Sequence, residues 1–479
     1  MTQNLIQANF TKALSDFKNQ VDWVGLRLYT EKTTTHVIRN ENPEEHNSQK
    51  DQGVMIEVMI DGHVGYAATS DLTPEGMKAA FSRAKTLSTQ SSQFKVAEFT
   101  PEERPSSRGQ FQSPYLHRLD TLSTEEVVRV LMNSSKAMKV SDKIVSRLAY
   151  IFIVETEIQY ASSSGAEWLQ NFDMVTTYYK ATAQNDKDTQ SRTEGNSLQI
   201  GAEIFRKNEI YDLCRTTGEE AMLLLESENC PTETMDILLA PDQMQLQIHE
   251  SIGHPLELDR ILGDERNYAG WSFIKPEFFG NLQYGSSLLN VVFDPSERGQ
   301  FASYAFDDVG NPATREYLIK DGKLLRGLGS LESQKRSGIL GVANQRASSW
   351  NRAPIDRMAN INVVPGKSTL DEMIGSVKRG VLMKANRSWS IDDYRNKFQF
   401  GCEYGQMIED GKLTRVVKNP NYRGKTLEFW NSLKAVGNSG TYENHGSPFC
   451  GKGEPSQLIR VAHSSPYCLF GNIEVFGGV

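Results

Sequence analysis

Apolar residues in the first half of the chain follow two different spacings. Helical spacing occurs over 5–17, 74–87, 123–138 and 200–226, and spacing of every second residue occurs over 24–29, 54–60, 64–68, 148–160 and 167–182. The first spacing predicts amphipathic helices, and the second predicts strands. The polar segments 99–120 and 185–196 are predicted to be a long surface connection and a loop. We therefore expect residues 1–230 to form a mixed α/β domain in which helices cover a sheet.

The second half has a different pattern, in which short apolar segments are separated by turn signals. A strand is predicted over 235–240, followed by a helix from Asp242 for which Gln245 completes a capping box. Beyond residue 280, Asp-Gly and Pro-Gly pairs separate short β segments, and long helical patterns are few. We expect a β-rich C-terminal domain over residues 231–479 and an α+β fold for the whole chain.

Composition and charge narrow the classes of function. The 479 residues include 52 Lys and Arg against 60 Asp and Glu, a formal net charge of −8. This balance argues against direct nucleic-acid binding and against an anionic membrane as partner. No basic segment followed by an apolar stretch opens the chain, and no apolar run approaches the roughly 18 residues of a membrane span. We expect a cytoplasmic protein without membrane contact.

Candidate chemistry is concentrated between His249 and His254, where the sequence has the pattern HExxxH. This pattern brings two imidazoles and the Glu250 carboxylate together. Five positions correspond to about 500° of a regular helix, which separates the two histidines by about 140°. Gly253 permits a non-helical turn, and Pro255 disfavours the α region at His254. We therefore expect the helix to end, or to widen into a π-turn, at this point.

A catalytic metal needs a third protein ligand, which the spacing alone does not identify. By residue type, the candidates are Cys450, Cys468, Cys402, His445, His463, Glu257 and Asp259. The five cysteines of the chain are scattered and odd in number, so a special cysteine is better explained as a metal ligand or nucleophile than as part of a disulfide framework. Cys450 stands out because Gly451 lets the backbone approach closely and Lys452 adds a charge that favours the thiolate.

Further polar residues have two interpretations each. They are Glu257, Asp259, Asp307, Asp308, His445, Lys452 and His463. As functional groups they would orient the metal ligands or contact substrate, as the outer shell of a metal site requires. The simpler interpretations are solvated loop acids for the first two, an Asx turn for the Asp pair and ordinary polar side chains for the histidines.

Motifs along nearly the whole chain resemble the TldD/PmbA (TldE) family, which is named for a proposed role as modulators of DNA gyrase and consists of zinc metallopeptidases. The stretch 53–84 is similar to the family's first sheet and helix, 306–312 to its DDxGxP turn, and 364–369 to its PGxxS/T loop. The HExxxH pattern and a late Cys-Gly-Lys, beginning at Cys450, are both present. The chain is thereby similar to the catalytic, TldD-like class, since the sister class lacks the metal motif.

The resemblance implies one Zn²⁺ per chain, bound by His249, His254 and Cys450, with Glu250 as the catalytic acid and base. It also implies cleavage of unfolded or flexible peptides by a homodimer or by a heterodimer with a TldE/PmbA-like subunit. We expect a zinc-dependent endopeptidase in which a metal-activated water attacks the peptide carbonyl and Glu250 takes the water's proton.

Two other functions stay open. A cysteine-nucleophile hydrolase would use Cys450 with His445 or His463 as its base, and this mechanism would survive chelation. A non-enzymatic interaction subunit would hold a structural zinc with a fourth protein ligand, because a catalytic zinc keeps one position open.

Overall fold

The structure is a computed structural model that describes residues 8–94, 96–267 and 270–478. Residues before 200 supply a seven-stranded sheet. Its strands are β1 (Trp23–Arg39), β2 (Asn42–Ile60), β3 (His63–Thr69), β4 (Arg108–Gln112), β5 (Ile144–Ser162), β6 (Glu167–Gln184) and β7 (Thr189–Gln199). Their order is β3-β2-β1-β5-β6, with β4 and β7 both paired to β6. The strands predicted from alternating apolar residues are all confirmed.

Two polar segments were wrongly predicted to lack regular structure. β4 lies inside the predicted connection 99–120, and β7 occupies most of the predicted loop 185–196. Both strands pair with β6, which supplies backbone hydrogen bonds whether or not their side chains alternate in polarity. In β7, polar contacts replace apolar ones, as where the Ser197 hydroxyl lies 2.8 Å from that of Thr176.

Four helices cover this sheet. They are α1 (Ala8–Phe17), α2 (Pro74–Ser91), α3 (Thr124–Ala137) and α4 (Glu209–Glu226). The first two pack on β1 and β2, and the other two pack on β5 and β6. Residues 5–7 of the first predicted helix lie outside the described residues. The predicted helical region 200–226 is a short 3₁₀ helix, Ala202–Arg206, followed by α4.

The second half of the chain is rich in strands, as predicted. They are β8 (Glu228–Asn229), β9 (Glu233–Leu239), β10 (Val291–Phe293), β11 (Glu316–Lys320), β12 (Lys323–Leu324), β13 (Gln345–Arg346), β14 (Ile355–Asp356), β15 (Ile361–Val363), β16 (Arg379–Ile391), β17 (Lys397–Glu409), β18 (Lys412–Lys418), β19 (Pro420–Lys425), β20 (Leu433–Val436), β21 (Gly446–Lys452), β22 (Gln457–Ala462) and β23 (Cys468–Gly477). The helices are α5 (Pro241–Ile248), α6 (Leu258–Leu262), α7 (Leu331–Ser337), α8 (Leu370–Gly375) and α9 (Thr426–Asn431).

A closed arrangement of strands positions the functional site. β16 pairs with both β9 and β17, so the path β9-β23-β19-β17-β16 returns to its start as a barrel. The helix α5 leaves β9 directly, and its residues Met244 and Ile248 are fully buried in the same core as Ile237 and Phe400 of the barrel. Within the described residues, no helix combines the length and hydrophobicity needed to cross a membrane.

Candidate metal centre

The two histidines of the HExxxH pattern meet because the helix changes its hydrogen-bonding period. After α5, residues His249–Gly253 form a π-helix, in which the backbone N–H of His254 donates to the His249 carbonyl five residues back. The wider turn places the two imidazole rings with their centroids 4.7 Å apart and nearly perpendicular. The predicted π-turn is thus observed, and it removes the angular separation that a regular helix would impose.

Three local expectations about this helix are wrong. His254 keeps α-helical angles of −58° and −41° although it precedes Pro255, because the five-residue hydrogen bond holds it there. Gly253 also has helical angles, and it is needed for space instead: a Cβ at this position would lie 2.0 Å from the Met358 sulfur. The capping box with Gln245 does not form, since the helix begins at Pro241 after a residue without a capping side chain.

A buried hydrogen-bond network supplies a partner for the backbone carbonyl that the π-turn and Pro255 leave without its helical donor. Pro255 has no N–H to give to the Ser251 carbonyl, and the hydroxyl of Tyr284 donates to that carbonyl instead. The Ser251 hydroxyl in turn accepts from Trp430 Nε1 at 2.9 Å and from Gln247 Nε2 at 2.8 Å. These contacts hold the turn that carries both histidines in one conformation.

A cysteine from the far end of the chain completes the group. Cys450, on β21, is buried, and its Sγ lies 4.0 Å from Nε2 of His254. One ligand atom from each of His249, His254 and Cys450 lies within 4.8 Å of the other two. Burial raises the pKa of the Cys450 thiol, but His249 and Arg357 outweigh that effect and hold it well below its usual range. The thiolate is therefore the favoured form.

Each histidine is oriented by a second group behind it. Nδ1 of His249 lies 2.8 Å from Nε2 of His463, and Nδ1 of His254 lies 2.9 Å from Oε2 of Glu257. Burial and the charge of His249 hold the pKa of His463 well below its usual range, so we assign His463 as a neutral acceptor. Both contacts are made through Nδ1, so Nε2 of each histidine is the nitrogen available to a metal ion.

Glu250 forms an ion pair with an arginine, Arg395, that the sequence does not mark as a site residue. Its Oε2 accepts from Nη1 of Arg395 at 2.5 Å, and both side chains are largely buried. Burial raises the pKa of Glu250, but His254, His249 and Arg395 outweigh burial and lower it. The carboxylate is therefore ionised. Arg395 lies in a polar turn 145 positions away, and no motif or spacing marks it as a site residue.

The expected role of Lys452 is wrong. Its ammonium group does not face the thiolate but lies 2.6 Å from Asp259 and 3.3 Å from Glu257, with both carboxylates buried. Burial raises the pKa of Glu257, but Lys452 and His254 outweigh burial and hold it well below its usual range. Besides His249, the cation that acts on the thiolate is Arg357, whose Nη2 donates to the Cys450 carbonyl.

The remaining candidates lie in contacts of their own. Asp307 accepts from the backbone N–H groups of Val309 and Asn311, which is an Asx-type turn. Asp308 forms an ion pair with Arg27 at 3.0 Å. His445 lies 3.1 Å from a carboxylate oxygen of Glu443 rather than beside the thiol. Cys402 and Cys468 are fully buried.

The donor set fits a zinc ion. Two imidazole nitrogens and a thiolate are the ligands that zinc prefers, and a carboxylate behind one histidine is the usual outer-shell support. In the described ranges, His249, His254 and Cys450 are the one group of three or more His, Cys, Asp or Glu side chains that could hold an ion. Three protein ligands would leave a fourth position for water, as catalytic zinc sites require.

Together, this fold and this site are those of a metallopeptidase. Residues 232–477 match the family model of the PmbA/TldA metallopeptidase C-terminal domain, and residues 24–88 match that of PmbA/TldA metallopeptidase domain 1. The chain belongs to the PmbA/TldD family, as its motifs suggested.

Relatives agree with this assignment, and a solved structure shares the fold. A metalloprotease of Methanothermobacter thermautotrophicus is 26% identical over 464 residues, which cover 97% of each chain. A zinc metalloprotease TldD homolog of Saccharolobus solfataricus is 22% identical over 322 residues, which cover 67% of this chain and 69% of the relative. TldE from Thermococcus kodakarensis shares the fold, with a TM-score of 0.76 and 15% identity over 98% of this chain and 100% of that chain.

Proposed function

We propose that this protein is a zinc-dependent endopeptidase that cleaves unfolded or extended peptides. The observation that carries the proposal is the meeting of His249, His254 and Cys450 within 4.8 Å, next to the ionised carboxylate of Glu250. The name of the zinc metalloprotease relative from Saccharolobus solfataricus supports zinc as the metal. The proposal includes one Zn²⁺ per chain.

The chain's own residues have distinct roles in this proposal. His249, His254 and the Cys450 thiolate hold the ion, and His463 and Glu257 keep the two rings oriented. When bound, zinc would lower the pKa of a water molecule and polarise the peptide carbonyl. Glu250 accepts the proton of the attacking water and returns it to the leaving amine. The new C–O bond forms first, and the C–N bond breaks once Glu250 has given the proton to the amine nitrogen.

Two substitutions test this assignment with the metal measured separately from activity. Glu250→Gln should keep full zinc but lose hydrolysis by about 10²–10⁴-fold, because the amide is nearly the same size and cannot accept the proton. Cys450→Ser should lose or loosen the zinc. Cys468→Ser is the matched control, since Cys468 is equally buried but lies outside the group. Near-normal hydrolysis in zinc-loaded Glu250→Gln, or full zinc in both Cys450→Ser and His254→Ala, would contradict the proposal.

We also propose an assembly in which a second subunit helps to enclose the site. The candidates are a second copy of this chain and a TldE-like partner, and the similarity of the fold to TldE supports the latter. Glu250 is only 6% exposed, and such burial favours a narrow, extended segment as the substrate. Light scattering measures the mass in solution, and one test protein is offered in native and denatured forms. A monomer that cuts both forms equally fast would contradict the assembly and the substrate class.

A further inference from the structure

The turn between β16 and β17 reaches the proposed catalytic base. Arg395, in this turn, has a positive φ of 62°, which side chains other than glycine seldom adopt. Its backbone N–H donates to the Asp392 carbonyl at 2.9 Å, and its carbonyl accepts from the Thr426 hydroxyl at 2.9 Å. The surrounding contacts therefore hold Arg395 in a backbone conformation that it would seldom adopt alone.

A second segment fixes the same turn from outside. The backbone N–H of Trp271 donates to the Asp393 carbonyl, and that of Phe273 donates to the Tyr394 carbonyl, both at 2.8 Å. Gly270 allows this approach, because a Cβ there would lie 2.5 Å from the Asp393 carbonyl oxygen. The turn is thus joined to the barrel through β16 and β17 and to the loop at 270–273. Arg395 is presented from a rigid support.

The guanidinium of Arg395 has hydrogen-bonding capacity that the protein does not use. Nη1 donates to Glu250 at 2.5 Å, and the Arg395 side chain is 15% exposed. Within the described parts of the chain, its buried Nε has no acceptor. A buried N–H without a partner costs about 1–3 kcal/mol, so such a group beside a catalytic carboxylate calls for an explanation.

We propose that Arg395 is a catalytic residue of the hydrolysis described above: it holds Glu250 through Nη1 and donates from its unused N–H groups to the carbonyl oxygen of the peptide bond being cut. This inference rests on the proposed function. An arginine suits the task because its planar fork has five donors and keeps its charge. When Glu250 takes the proton of water, negative charge moves from that carboxylate to the carbonyl oxygen. Arg395 lies beside the first and stabilises the second, while keeping its own protons.

Chemical rescue tests the proposal. Arg395→Gly should fold, because glycine favours a φ of 62°, and it should keep its zinc. Its kcat should fall by about 10²–10³-fold, as on loss of an oxyanion donor. Millimolar ethylguanidinium should restore activity in a saturable manner, whereas ethylammonium should not. Arg387→Ala is the matched control, since Arg387 lies on β16 of the same hairpin and donates to Asn419 instead.

A transition-state analogue separates contact with substrate from positioning of Glu250. In Arg395→Lys, the affinity for a phosphinic peptide should fall by the same factor as kcat/KM, while KM changes little. Activity of Arg395→Gly within a few-fold of wild type would overturn the proposal. So would a phosphinate affinity that stays unchanged while kcat falls, because Arg395 would then act only through Glu250. Zinc-loaded wild-type protein and control that cleave no peptide would overturn the peptidase function itself.

Discussion

The two histidines of the centre are supported by groups of different charge. Behind His254 lies Glu257, a buried carboxylate 3.3 Å from the ammonium of Lys452. Behind His249 lies His463, a buried imidazole whose low pKa keeps it neutral. Both partners fix the orientation of a ring, but only Glu257 brings a negative charge and needs buried cations to balance it. One support is therefore part of an ion network, and the other is a neutral hydrogen-bond acceptor.

The difference in charge between the two supports separates their effects on zinc affinity and on the stability of the fold. These two properties are usually lost together. A carboxylate behind a histidine makes the ring a stronger ligand, and the cations around it tie metal binding to the stability of the fold. A neutral partner can change metal binding with little effect on stability. Substitutions at the two positions should therefore give different ratios of lost zinc affinity to lost unfolding free energy.

Glu257→Gln should have the largest effect. The amide removes the charge from among His254, Lys452 and Arg260, and breaking such a buried pair costs about 3–5 kcal/mol of unfolding free energy. Zinc affinity should fall by about 10–100-fold as well. Denaturant unfolding and competition with a chromogenic chelator measure the two losses. The control is Glu443→Gln, which removes a carboxylate from a histidine outside the centre. An equal loss in this control would contradict the special role of Glu257.

Removal of the metal should have the next largest effect, and it should differ between variants of the two supports. A ligand present at 100 times its Kd stabilises a protein by about 2.7 kcal/mol. At one fixed zinc concentration, chelation should therefore lower the melting temperature of wild type clearly and that of Glu257→Gln less. His463→Gln should fall between them. Calorimetry with and without chelator gives all three values, and equal shifts would show that the outer groups do not tune the centre.

Tyr284→Phe should affect both histidines alike. The change leaves the Ser251 carbonyl buried without the hydroxyl that now donates to it, at a cost of about 1–3 kcal/mol of unfolding free energy. Because this carbonyl belongs to the turn that carries both rings, zinc affinity should fall too. Tyr115→Phe, at a partly exposed tyrosine, is the control. A variant as stable as this control would mean that the Tyr284 contact does not stabilise the π-turn.

His463→Gln should have the smallest effect. Glutamine can still accept from Nδ1 of His249 but positions its oxygen less rigidly, so zinc affinity should fall about tenfold, at the low end for outer-shell changes. The unfolding free energy of the zinc-free protein should change little. Chelator competition and denaturant unfolding test both statements. A stability loss equal to that of Glu257→Gln would contradict the distinction between the two supports.

The sequence predicts those parts of the site that depend on neighbours along the chain. The five-residue spacing of His249 and His254 requires a wider turn, and the structure has one. The reason attached to Gly253 is wrong, because the space it leaves is filled by Met358, which is 105 positions away. Arg395 and Tyr284 are unpredictable for the same cause. Their roles depend on the barrel that brings distant turns to the helix.

In the fold, too, features set by neighbours along the chain are predicted, and features set by distant segments are not. Strands with a buried face, such as β5 and β6, have alternating apolar residues and are predicted correctly. β4 and β7 are polar, and they form because β6 offers backbone groups along the one edge that β5 leaves unpaired. Pairing of this kind leaves no periodic signal in the strand itself, so a single sequence does not reveal it.

The centre joins segments that the ribosome makes at different times. His254 and Cys450 are 196 positions apart. At 5–20 residues per second, synthesis of that segment takes roughly 10–40 s. A growing chain thus displays the HExxxH segment long before the cysteine exists, and during this interval it has only two of the three proposed ligands. The order of residues therefore delays assembly of the centre until Cys450 has left the ribosome.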